Sequence, residues 1–87
     1  MENSIKAKLK EVIDNEVSED LYMSVNELND DDDLFALGVD SLNVVRIILA
    51  IEDEFNIQIN DDDLSIDNLG TINSINNLIS NILSQKY

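Results

Sequence analysis

Ser41 is the residue whose setting could do chemistry. In Leu37-Gly38-Val39-Asp40-Ser41-Leu42, one hydroxyl stands where an acidic stretch gives way to a strongly apolar run. An activated serine nucleophile needs a positioned base within hydrogen-bond reach, and the chain contains no His and no Cys. Its five cations are Lys6, Lys8, Lys10, Arg46 and Lys86. The nearest to Ser41 is Arg46, which never deprotonates. No catalytic residue is assigned, and the chain is not expected to be an enzyme. A hydroxyl without a base suits an attachment point, or the ordinary work of serine at a helix start, which is to satisfy a backbone N–H.

The other chemistry-bearing groups are carboxylates, in the runs Asp30-Asp31-Asp32-Asp33 and Asp61-Asp62-Asp63. Both fail the spacing of a calcium-binding EF-hand loop, which needs Gly at position 6 and Glu at position 12. Counted from Asp31 these positions are Ala36 and Leu42, and counted from Asp61 they are Ile66 and Ile72. No metal site is assigned, and divalent cations are expected to bind weakly, relieving charge repulsion. An acid/base pair built from carboxylates alone is formally open, but no pair stands out.

The elements that must position Ser41 can be read from apolar periodicity. Ile5, Leu9, Val12 and Ile13 predict a helix over about Asn3 to Glu16. Residues Ser18 to Asp40 form a long connection, without glycine until Gly38, in which Leu21, Tyr22, Leu28, Leu34, Phe35 and Leu37 can pin an ordered loop to a core. The next helix runs from Ser41 to about Phe55, with Ser41 at or beside the N-cap and Asp40 favoured by the helix dipole. A short helical turn is expected over Asp61 to about Ile66, with Asp61 as its cap. Gly70-Thr71 then breaks and recaps the chain, and Ile72, Ile75, Leu78, Ile79, Ile82 and Leu83 mark a last helix whose intervening Asn residues form a wet face. Ile57-Gln58-Ile59 alternates like a strand but has no pairing partner. The expectation is an all-α, small four-helix bundle, three main helices and one short, forming a single domain over residues 1–87.

The helix after Ser41 carries more apolar surface than a bundle needs. Val44, Ile47, Ile48, Ile51 and Phe55 make a core stripe, while Leu42, Val45 and Leu49 make a second. We assign the second stripe to partner docking. The competing reading is a central helix buried all round.

Of 87 residues 19 are acidic, and the formal net charge is −14, with Arg46 the only cation between Glu11 and Gln85. That field repels nucleic acid and anionic membranes and draws in proteins with basic patches. No basic-then-apolar leader appears, and no apolar run approaches the ~18 residues that would span a bilayer. Absence of cysteine suits a reducing compartment. A soluble, cytoplasmic monomer is expected. The close-set aspartates also predict a fold stabilised by added salt.

The combination of hydroxyl, Leu-Gly turn, apolar helix and acidic flanks resembles the acyl carrier protein family, whose signature is an Asp-Ser-Leu opening the second helix behind a Leu-Gly turn. The resemblance continues through Ala50-Ile51-Glu52-Asp53-Glu54-Phe55-Asn56-Ile57 and the Thr71-Ile72 start of the last helix, so it covers nearly the whole length. It implies that Ser41, flanked by Asp40 and Leu42, carries 4′-phosphopantetheine received from coenzyme A through a phosphopantetheinyl transferase. Acyl-loading and acyl-transfer enzymes with basic docking patches would then meet the chain at Leu42, Val45, Arg46 and Leu49. The cargo would be acyl or aminoacyl units, in fatty-acid, polyketide or related biosynthesis. Two departures from fatty-acid carriers stand out. Asn43 and Arg46 occupy places where acids are usual, and the segment from Asp61 to Thr71 is longer, similar to discrete carriers of specialised pathways. The alternative class is an acidic protein-interaction module with no prosthetic group, which has no need of Ser41.

Overall fold

The computed structural model describes residues 2–17 and 27–86, the side chains of residues 2–4, 66 and 86 excepted. Its elements are α1 (Glu2–Val17), α2 (Ser41–Phe55), a 3-10 turn (Asp61–Asp63), α3 (Ile66–Leu69) and α4 (Ile72–Lys86). The fold is all-helical, with four α-helices and no strand among the described residues. Helix α1 packs against both α2 and α4, and α3 packs against α4.

The periodic stripes build one core. Leu9 and Ile13 of α1, Ile47 and Ile51 of α2, and Ile72, Ile75 and Ile79 of α4 are buried together, with Leu34 from the connection set among them. Each such side chain contributes about 1.5–3 kcal/mol by leaving water, so apolar burial dominates the fold. Ile57 and Ile59 are buried too, with Gln58 exposed between them. Their alternation serves a connection rather than a sheet, because the Ile59 N–H donates to the Glu52 carboxylate at 2.9 Å and so is satisfied by α2.

The connection before α2 is ordered where it is described. Leu28, Leu34 and Val39 are buried, and Phe35 and Leu37 pack partly against the core. Leu21 and Tyr22 lie outside the described residues. The Leu34 N–H donates to the Gly70 carbonyl at 2.8 Å, and the Asn73 N–H to the Asp30 carbonyl at 2.9 Å, which ties this loop to the start of α4. Lys6 and Lys10 of α1 converge on the Asp30 carboxylate at 3.0 and 3.2 Å. The hydrogen bond from Lys6 holds that carboxyl below its ordinary range; partial burial opposes this, and Lys10 reinforces it.

Three sequence expectations are corrected. The turn expected over Asp61–Ile66 divides: Asp61–Asp63 form the 3-10 turn, and α3 starts separately behind Ser65, whose Oγ accepts from the Asn68 N–H at 3.3 Å. Asp61 is no cap, since the N-cap position is Asn60 and no side chain caps that turn. The third correction concerns the wet face of α4. Asn77 and Asn81 are exposed, but Asn76 is buried, and its Oδ1 has no hydrogen-bond partner among the described residues. Asn76 lies one turn beyond Ile72 and one turn before Ile79, so helical spacing draws it into the core side although its type is polar.

Candidate functional site

Ser41 is positioned by the turn in front of it. Gly38 has φ 117°, a conformation closed to residues with a β-carbon. The Leu37 and Val39 N–H groups both donate to the Leu34 carbonyl, each at 3.1 Å, and buried Val39 anchors the exit from the turn. Asp40 is then the N-cap of α2, in extended conformation. Its Oδ1 accepts from the Asn43 N–H at 2.9 Å, and the Asn43 Oδ1 accepts from the Asp40 N–H at 3.0 Å. This reciprocal capping box fixes the start of the helix, and Ser41 is the residue beside the cap rather than the cap itself.

The Ser41 side chain is therefore not consumed in capping. Ser41 is exposed and stands at the edge of a cleft of about 320 Å³ lined with Phe35, Val44, Leu64, Ser65 and Leu69. Because Asp40 satisfies the Asn43 N–H, the N–H groups of Ser41 and Leu42 are the first-turn donors without an intrahelical acceptor. Those donors and the positive end of the helix dipole favour an anion, so a phosphodiester on the Ser41 oxygen fits the residues present. The cleft was not foreseen from sequence. Its second hydroxyl, Ser65, was legible only as a possible cap of a short helix, three residues before Asn68.

Along α2 the two stripes separate. Ile47 and Ile51 are buried and Val44, Ile48 and Phe55 half-buried, whereas Leu42, Val45 and Leu49 are 61%, 51% and 61% exposed. A helix buried all round is excluded. Arg46 is also exposed. Asn43, grouped with Arg46 from its place after Asp-Ser-Leu, is buried in the capping box and so leaves the outer face to Arg46. Lys8 pairs with Glu54 at 2.8 Å, and Lys6 and Lys10 pair with Asp30, but Arg46 makes no ion pair among the described residues. Among those residues no group of three His, Cys, Asp or Glu is placed to hold a metal ion, and no helix is long and apolar enough to cross a membrane.

Comparison with known proteins places the chain in a family. The family model described as a phosphopantetheine attachment site matches residues 11–79, a span that contains Ser41 and both helices bordering the cleft. The acyl carrier protein of Buchnera aphidicola is 40% identical over 62 residues, 70% of this chain and 73% of that protein. The chloroplastic acyl carrier protein 4 of Arabidopsis thaliana is 32% identical over 82 residues, 93% of this chain but only 58% of that longer protein. In structure, the chain superposes with TM-score 0.82 and 27% identity, covering 90% of itself and 99% of its counterpart. The counterpart comes from the crystal structure of an engineered Bradyrhizobium japonicum glycine:[carrier protein] ligase complexed with a carrier protein from Agrobacterium tumefaciens and ATP. The chain belongs to the acyl carrier protein family, whose phosphopantetheine-binding domain carries covalently attached 4′-phosphopantetheine.

Proposed function

We propose that Ser41 is the attachment residue and that the chain holds acyl or aminoacyl units on its prosthetic arm for partner enzymes of fatty-acid, polyketide or related biosynthesis. The observation that carries this reading is the exposed Ser41 hydroxyl, left free of capping by the Asp40–Asn43 box and set at the mouth of the cleft. In the loading step a phosphopantetheinyl transferase joins the Ser41 oxygen to the β-phosphorus of coenzyme A. The bond from that phosphorus to the nucleotide breaks, 3′,5′-ADP leaves, and the hydroxyl proton passes to a base on the transferase. The arm supplies a terminal thiol, which holds cargo as a thioester. Asp40 and Leu42 frame the attachment oxygen, and the chain's own residues position it without performing chemistry on the cargo.

The relatives from Buchnera and Arabidopsis support acyl cargo. The likeness to a structure of a carrier-protein glycine ligase complex supports loading by an enzyme that activates a small acid. Arg46 and the segment from Asp61 to Thr71 favour a discrete carrier of a specialised pathway. The surplus of acids directs the chain to enzymes with basic patches and away from nucleic acid. We further read residues 1–87 as one monomeric carrier domain of the cytoplasm, supported by the absence of cysteine.

The test is to label the chain with a fluorescent coenzyme A derivative and a broad-specificity transferase. Label is expected in the wild type and in Ser65→Ala, which lacks the other hydroxyl of the cleft, and none in Ser41→Ala. Label retained in Ser41→Ala would contradict the assignment. Absence of label from every form would favour an acidic interaction module.

A further inference from the structure

We propose that Arg46 selects the partner: it pairs with a carboxylate on the chain's own phosphopantetheinyl transferase, within an apolar patch that receives Leu42, Val45 and Leu49. The proposal rests on the carrier reading, because a transferase must bring coenzyme A to Ser41 and so must cover the outer face of α2 next to it. Arg46 lies one turn beyond Leu42 and one turn before Leu49, on the same face as both. Those two leucines are each 61% exposed, so a protein that buries them also takes water from the guanidinium between them.

Charge complementarity then decides the partner's chemistry. A cation that loses water among apolar side chains is costly unless it is paired. Among the described residues no acid of this chain supplies the pair, since the ion pairs formed are those of Lys6, Lys8 and Lys10. The acceptor has to come from the other protein, and a carboxylate matches the planar fork of Arg with two parallel hydrogen bonds. A patch that is basic throughout would set cation against cation at this point. The exposed acids Asp40 and Asp53, at either end of the same helix, remain available to basic groups at the rim. The fitting surface is apolar, with one carboxylate at its centre and cations around it.

Steady-state transfer by the transferase of the organism that makes this chain, with coenzyme A, tests the proposal in wild type, Arg46→Lys, Arg46→Ala and Arg46→Glu. Arg46 is exposed, and unchanged circular dichroism confirms that each variant folds. The expected result is a KM for the chain raised about tenfold by alanine and further by glutamate, at nearly constant kcat, with lysine recovering part of the loss. An unchanged or lowered KM for Arg46→Glu would overturn the proposal while leaving the carrier reading intact. A wild-type chain that accepts no phosphopantetheine would overturn the carrier reading, and this proposal with it.

Discussion

At the scale of single residues, the important outcome is a division of labour between two neighbours. Serine and aspartate are both favoured N-caps, so residue type cannot decide which of Asp40 and Ser41 caps α2. Asn43 decides it, because its amide oxygen returns to the Asp40 N–H and completes the box. Asp40→Ala is expected to cost about 1 kcal/mol of stability in chemical denaturation. Ser41→Ala should change stability by less than about 0.5 kcal/mol, while removing the oxygen proposed for attachment. Equal losses in the two variants would show that Ser41 shares the capping. Asn76 teaches a similar lesson, since helical position rather than polarity sets its burial.

At the scale of elements, the three long helices were legible because each repeats its apolar stripe over several turns. The segment between α2 and α4 was not. Its 3-10 turn and one-turn helix are too short to show a period, and each of Asn60, Asp61 and Ser65 is a plausible cap. The acidic connection before α2 was read as a source of repulsion, yet the structure gives each of its four aspartates a partner. Asp30 takes Lys6 and Lys10, Asp31 takes the Asn73 amide, Asp32 takes the Asn29 N–H, and Asp33 takes the Phe35 N–H. These partners are far apart in sequence or on the backbone, where a charge count cannot find them. Because the Asp30 carboxyl is held below its ordinary range by Lys6 and Lys10, its pairing stabilises the fold at neutral pH and down to the unfolded value of about 3.9. That contribution fades as pH falls through the lower folded value. Asp30→Asn should therefore be less stable than wild type by about 1 kcal/mol at neutral pH. The gap should close in strong acid, as followed by thermal melts across pH. A gap independent of pH would mean that the ion pairs contribute nothing.

At the scale of the whole molecule, charge opposes a fold held by apolar packing. The chain carries a net charge of −14, and its described residues form a body about 36 Å in its longest dimension. Salt weakens the three described ion pairs, which lie at exposed or half-exposed positions and contribute little there. It also screens the mutual repulsion of the excess acids, including Asp61 to Asp63, which form no ion pair among the described residues. The Debye length falls from about 30 Å at 0.01 M to about 10 Å at 0.1 M, so screening reaches most of these repelling pairs. The melting temperature is expected to rise over that range, and a fall would show that the ion pairs outweigh the repulsion. The overall architecture was legible because packing alone holds a chain without disulfides, whereas the cleft beside Ser41 arises from elements distant in sequence and was not. The most direct test of the account is the intact mass of the folded chain before and after incubation with coenzyme A and a transferase. The account predicts a gain of one phosphopantetheine, absent from Ser41→Ala; a folded wild type that gains nothing, or a mutant that gains the same mass, would contradict it.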